Sequence, residues 1–250
     1  NFIDDKNESE TLNKASAIWT REKKDISAEQ YEEFYKQIGA GFDKPLLTLH
    51  NKVEGTLSYI NLLFIPGSRP FDLFQMDVKS KIKLYSNRVL ITDDSESILP
   101  RWLRFVKGIV DTSDVDLNVS REMLQHNVTL NKISKALKKR VINELKKLKE
   151  KDTDKYQSFW NEFGIVLKEG IYEDFDLKTE LLELSKFQSM NEDKPVFLSD
   201  YIEKMNAEQK DIYYLAAENK DMAEGSPHLE VFKKKKLDVL FLTDPIDTFW

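Results

Sequence analysis

The chain has 250 residues, 40% hydrophobic and 33% charged, enough to bury a core in one or two domains. Its formal charge of −6 argues against a nucleic-acid partner, and without cysteine it can form no disulfide, thiolate nucleophile or thiolate metal site. No apolar run reaches membrane-spanning length and the first residues lack the basic-then-apolar order of a signal peptide, so no membrane partner is expected and the expected address is cytoplasmic.

Residues 1–15 are polar and acidic without periodicity and read as a linker or ragged N-terminus. The missing initiator methionine and an end at Trp250, just after a strand-like run, lead us to expect a piece of a longer protein. Ser27 and Gln30 have capping-box spacing, and Tyr31, Phe34, Tyr35 and Ile38 continue at helical intervals until Gly39 and Gly41. From Leu46 to Ile65 two apolar, β-branched runs broken at Glu54-Gly55 predict strands, and Pro66-Gly67 closes the second. A third strand run, IKLYSNRVLIT, follows a basic loop around Lys79 and Lys81. Pro100 then predicts a helix carrying Trp102, Leu103, Phe105, Val106 and Ile109. Helix, antiparallel strands and helix make an α/β layer unit over residues 16–125.

Leu130, Ile133, Leu137, Val141, Leu145 and Leu148 recur every three or four residues, predicting one long amphipathic helix, or a broken pair, between Arg121 and Lys151. Its lysine-rich side reads as a solvated face. Residues 126–153 are thus a helical connector. A second unit, residues 154–250, opens with aromatic-rich helices at Tyr156–Phe163 and Phe175–Phe187. Ser199 caps a helix to Met205, and a strand (Asp211–Ala217), a helix (Ser226–Lys235) and a strand (Leu237–Thr243) follow. With no room for a hairpin, these imply a parallel β-α-β unit. The lysines at Lys233–Lys236 fit a helix end, which favours cations.

Several chemistries are absent. His50, His126 and His228 are scattered, with no ligand at metal-binding spacing, and Asp111, Asp114 and Asp116 lack the glycine and terminal glutamate of a calcium loop. There is no G-x-S-x-G elbow, and Gly39 and Gly41 lack the third glycine of a phosphate-cradling loop, so no autonomous nucleotide hydrolysis is expected. The stretch that carries chemistry is Asp111–Gln125, DTSDVDLNVSREMLQ. Arg121 falls in the first turn of a helix capped by Asn118 or Ser120, where the helix dipole disfavours a cation. Either an external anion such as phosphate recruits the guanidinium, or Arg121 pairs with Asp111, Asp114 or Asp116 and pins the loop, which is the commoner arrangement of such groups. The loop PGSRPFDLF sets Phe71, Leu73 and Phe74 beside turn-formers. Exposed, they would make a sticky patch; burial is the expectation for most of the three.

The run LPRWLRFVKGIVDTSDVDLNVSREMLQ, with IWTREKKDISAEQYEEFYKQI, LLFIPGSRPFDLF, IKLYSNRVLITDD, YQSFWNEFGIVLKEG, IYYLAAEN, SPHLEVFKKK and VLFLTDPID in the same order, resembles the middle domain of the heat-shock protein 90 family of ATP-driven chaperones in its bacterial, HtpG-type form. The resemblance runs from about Ile18 to the end. It implies an α/β fold of two α/β/α layer subdomains, a larger one with a mostly antiparallel sheet and a smaller one with the β-α-β unit, joined by the long-helix connector. It also implies that ATP and Mg2+ are held by a separate N-terminal domain, with nothing bound by this segment alone. Arg121 and Gln125 of NVSREMLQ would complete that ATPase site, Arg121 meeting the γ-phosphate in the closed state and Gln125 the phosphate or the loop around it. Asn118 would hold the loop. Non-native client proteins would meet Phe42, Phe71, Leu73 and Phe74, while Trp19 and Trp160 read as core or helix anchors. Further implied partners are the protein's own N-terminal ATPase domain, a C-terminal domain through which the full-length protein forms a homodimer, and co-chaperones. One departure is Ser185-Lys186, where leucine and arginine are expected; lysine cannot reproduce bidentate pairing. The rival reading is a non-catalytic interaction scaffold whose Arg121 loop is only structural.

Overall fold

The computed structural model describes residues 2–3, 9–10, 17–41, 43–75, 78, 81–93, 98–115, 124, 126–206 and 209–249. Within the stretch expected to lack structure, Phe2–Ile3 (β1) and Ser9–Glu10 (β2) pair antiparallel as a short hairpin. Helix α1, Ala28–Gln37, starts at the predicted capping box: Ser27 Oγ accepts from the Gln30 amide at 3.3 Å and Gln30 Oε1 from the Ser27 amide at 3.0 Å. Gly39, at φ +70, then turns the chain away, as only a residue without Cβ does freely.

Five strands follow: β3 (Leu47–Val53), β4 (Tyr59–Ile65), β5 (Lys81–Ser86), β6 (Val89–Thr92) and β7 (Lys107–Thr112). They lie in the order β3-β4-β7-β5-β6, antiparallel except at β5/β7. The β5–β6 turn places Asn87 (φ 49) and Arg88 (φ 68) in the left-handed region, the backbone a two-residue hairpin of this twist needs. Both faces of the sheet are covered, so β4 is buried almost throughout. On one face Leu62, Phe64 and Ile109 pack with Tyr35 of α1; on the other Leu63, Ile65 and Val110 join the main core.

The helix expected after Pro100 is one 3-10 turn, Arg101–Leu103, and Ile109 lies on β7 instead. The apolar run 105–110 suits a buried helix and a buried strand equally, and pairing with both β4 and β5 decides the matter. Gly108 fits that central position because a Cβ there would sit 2.2 Å from the Leu62 carbonyl oxygen.

Within the stretch predicted as one long helix or a broken pair, α2 is Val128–Lys151, and Asn127 caps it by accepting from the Leu130 amide at 3.0 Å, while Arg121 lies outside the described residues. All six stripe residues are buried. Helix α3 (Thr153–Glu173) follows directly, capped by Asp152. The helix expected over Phe175–Phe187 is shorter: a 3-10 turn, Phe175–Leu177, leads into α4 (Lys178–Leu184), and Phe187 belongs to β8 (Lys186–Ser189). Residues from α2, α3 and α4 share one apolar cluster with the large sheet.

The second sheet contains β8, β9 (Val196–Phe197), β10 (Tyr214–Ala216) and β11 (Leu240–Leu242) in the order β10-β11-β8-β9. Between β9 and β10 lies α5 (Leu198–Glu203), where Asp200 rather than Ser199 accepts from the Phe197 amide at the helix start. Strands β10 and β11 are parallel, as expected. Their connection is two helices, α6 (Lys220–Glu224) and α7 (Leu229–Lys235), because Gly225 and Pro227 interrupt the run. Helix α7 ends in the lysine run, with Lys236 left-handed at φ 54. The fold is mixed α/β with helices packed on two sheets. Among the described residues no helix is long and apolar enough to cross a membrane.

Candidate functional site

Arg121, Gln125, Asn118 and Phe42 lie outside the described residues, but the two ends of the Arg121 segment are defined. At the first end the chain leaves β7, and Ser86 Oγ donates to the Val115 carbonyl at 2.6 Å while the Val115 side chain is buried. At the second, Leu124 is buried in the main core and Asn127 caps α2.

The acidic residues at the first end are occupied locally. Asp111, 6% exposed, accepts from Trp19 Nε1 at 2.9 Å through Oδ2 and from the Arg88 amide at 3.2 Å through Oδ1. Asp114 accepts from the Ser58 amide at 2.9 Å, and Thr112 Oγ1 donates to the Ser58 carbonyl at 2.8 Å. Among the described residues, then, these carboxylates serve backbone and indole N–H groups and the Ser113 hydroxyl. Beside them is a cleft of about 430 Å³ whose walls include Thr20, Lys52, Tyr59, Arg88 and Asp111.

Trp19 is the anchor the sequence suggested, held by more than packing. Its ring lies 4.9 Å from Tyr85 and 5.7 Å from Phe34, and its carbonyl lies 2.8 Å from His50 Nε2. A carbonyl can only accept, so Nε2 carries the proton and Nδ1 accepts from the Tyr31 hydroxyl at 2.7 Å. Burial, the leading cause, pushes the His50 pKa below its ordinary value. His50 is therefore a structural clasp rather than a metal ligand, and nothing in its sequence neighbourhood revealed this.

The PGSRPFDLF loop differs from expectation. Phe71 is fully exposed at 102% and Phe74 half-exposed at 49%, whereas Leu73 is completely buried. Leu73 is thus withdrawn from any client surface. Arg104, itself buried, donates Nε to the Leu73 carbonyl at 2.8 Å and binds Glu169 with both terminal nitrogens. With the middle of the loop pinned inside, the two phenylalanines on either side must point out. Arg69 lies over the Phe74 ring at 5.6 Å. Beneath the loop Lys107 donates to the Arg104 carbonyl at 2.9 Å; burial above all, with the nearby Lys81 charge, lowers its pKa to about 8 against the pull of Asp72. Neither Arg104 nor Lys107 stood out in the sequence, since their roles depend on burial.

Trp160 is buried in the main core. Lys186, where the resemblance led us to expect arginine, hydrogen-bonds Gln157 Oε1 and lies 4.7 Å from the centre of the Phe197 ring. Among the described residues no three His, Cys, Asp or Glu side chains are grouped to hold a metal ion.

Comparison with known proteins gives a consistent result. The family model described as Hsp90 protein matches residues 3–250. Chaperone protein HtpG of Paramagnetospirillum magneticum is 53% identical over 246 residues, covering 98% of this chain and 39% of that protein. HtpG of Rhodospirillum rubrum is 50% identical over 243 residues, 97% of this chain and 39% of that protein. The chain therefore spans under half the length of these curated relatives. Among solved structures, the middle domain of a Plasmodium falciparum heat shock protein superposes with a TM-score of 0.83 at 38% identity, covering 94% of this chain and 92% of that one.

Proposed function

The chain belongs to the Hsp90 protein family, corresponding to the middle domain of its HtpG-type chaperones, and on that basis we propose that it completes an ATPase site held by another domain and presents a client-binding surface. Arg121 is the residue that meets the γ-phosphate in the closed state, Gln125 assists at the phosphate, and Asn118 supports the loop. ATP and Mg2+ are held by the N-terminal domain of the longer protein, which acts as a cytoplasmic homodimer joined through its C-terminal domain. Residues 16–125, 126–153 and 154–250 serve as large subdomain, connector and small subdomain, a division that the separate four- and five-stranded sheets support, with α3 and α4 of the last unit packed into the core of the first.

The observation that carries the catalytic part is the occupation of Asp111 and Asp114 by Trp19, the Arg88 amide and the Ser58 amide. These were two of the candidate partners that would make Arg121 a mere loop pin. Both carboxylates thus already have structural work of their own, and a five-donor fork suits an external anion such as phosphate. Two anchored ends also suit a contact that must recur in a fixed place at each closure. Substrate capture falls to Phe71 and Phe74, with Phe42 as a further candidate, and excludes Leu73.

The test is steady-state ATP turnover and nucleotide affinity of the full-length chaperone, wild type against Arg121→Ala, with circular dichroism as fold control. Removing a donor aimed at developing charge is expected to cut turnover by about 10²-fold or more. Affinity should hold, because the contact forms only on closure. Unchanged turnover would instead make this domain an interaction scaffold.

A further inference from the structure

We infer that Asp111 and Trp19 act as positioning residues for Arg121, by locking the segment that leads into the domain onto the root of the Arg121 segment. This rests on the reading of Arg121 given above. Trp19 lies in the short 3-10 turn Ile18–Thr20, before α1, and Asp111 lies near the end of the central strand β7. The indole-to-carboxylate hydrogen bond at 2.9 Å joins residues 92 positions apart.

The second oxygen of the same carboxylate holds the β5–β6 turn through the Arg88 amide at 3.2 Å. That turn follows Ser86, whose hydroxyl fixes the Val115 carbonyl just before the chain sets out towards Arg121. The other side of Trp19 is gripped by His50, which Tyr31 of α1 orients. Leading segment, α1, β3, β5–β6 turn and the end of β7 thus meet around the Trp19–Asp111 pair.

A carboxylate is a costly choice for this job if stability is the only aim. Asp111 is nearly buried, and among the described residues its donors, Trp19 Nε1 and the Arg88 amide, are neutral, so neither offsets the loss of hydration as a cation would. What the carboxylate provides is an oxygen for each of two donors. An amide side chain held in the same place would turn an NH2 donor towards one of the two N–H groups. The geometry therefore selects for holding both elements at once, at the place from which the Arg121 segment starts. A contact made only in the closed state is sensitive to such placement, since a small misalignment of a positioned group costs rate rather than affinity.

The experiment is a double-mutant cycle in the full-length chaperone. Trp19→Phe keeps the ring and removes the N–H donor; Asp111→Asn keeps the shape and leaves one oxygen. Each is combined with Arg121→Ala, and ATP kcat, KM and fold are measured. We expect each single variant to lower kcat by roughly tenfold with KM unchanged, and to cause no further loss in the Arg121→Ala background. An equal loss in both backgrounds would overturn the inference, because the lock would then act independently of Arg121. Full turnover in both lock variants, with Arg121→Ala impaired, would overturn it while leaving the function of Arg121 standing. Full turnover in Arg121→Ala itself would remove both. If Trp19→Phe fails to fold, Asp111→Asn decides alone.

Discussion

His50 shows how a buried side chain converts solution pH into stability. Its Nε2–H is given to the Trp19 carbonyl and its Nδ1 accepts from Tyr31, so protonating Nδ1 would turn that acceptor into a second donor. Burial lowers its folded-state pKa below the ordinary 6.5. The unfolded chain then binds the extra proton first as pH falls. Stability contributed by the neutral ring is complete above pH 6.5 and is lost between there and the lower native pKa. Urea denaturation at pH 7.5 and pH 5.5 should show this loss in the wild type. In His50→Gln the difference between the two pH values should shrink, on top of a uniform loss from the broken clasp. Of these roles the sequence offered only part. Trp19 was legible as an anchor because an indole has to be covered and its N–H satisfied. Its partner Asp111 was read as a possible mate for Arg121, since residues close in sequence are the only pairs that spacing can suggest.

Among the elements, α3 is tied to the 3-10 turn Pro245–Thr248 by a buried cation. Lys168 Nζ lies 2.7 Å from Asp244 and 2.7 Å from Asp247, with the Phe187 ring 4.4 Å away. Burial raises the pKa of Asp247, and Lys168 opposes that shift. Replacing Lys168 by methionine fills the space but leaves two carboxylates without their counter-charge, at a cost of about 3–5 kcal/mol. Lys168→Met should therefore show a lower urea midpoint, and adding Asp247→Asn should restore part of the loss. Recovery of nothing would mean that the ion pair is incidental to how this turn is held. Local signals located elements better than they typed short ones. The Ser27 capping box and the six-residue stripe of α2 survived intact. The run after Pro100 and the end of the Phe175 helix changed type, because Ile109 pairs with Leu62 on a distant strand and β8, which holds Phe187, is paired with both β9 and the far-off β11.

Across the whole molecule the covered faces and the exposed rings divide the work. The central strands β4 and β7 of the large sheet are buried on both sides, so their apolar residues report packing. Phe71 is the contrary case: it contributes no buried area, so replacing it removes little folding energy. Phe71→Ser is expected to leave Tm within about a degree while weakening capture of a permanently unfolded client, such as reduced and alkylated lactalbumin, by about fivefold or more. Fluorescence anisotropy with labelled client measures the affinity. Unchanged affinity would move the client surface away from this loop.

Residue order by itself determined the family resemblance, the Ser27 capping box, the amphipathic stripe and the parallel β-α-β unit, because these depend on neighbours a few positions apart. It also located the Arg121 segment, since that motif is contiguous. Only the tertiary structure decided that Leu73 is hidden between two outward phenylalanines, that β7 is the centre of a sheet, and that Asp111 is engaged by Trp19 and the Arg88 amide. Each of those outcomes rests on contacts between distant parts of the chain, where burial and geometry choose among partners that local pattern leaves equal.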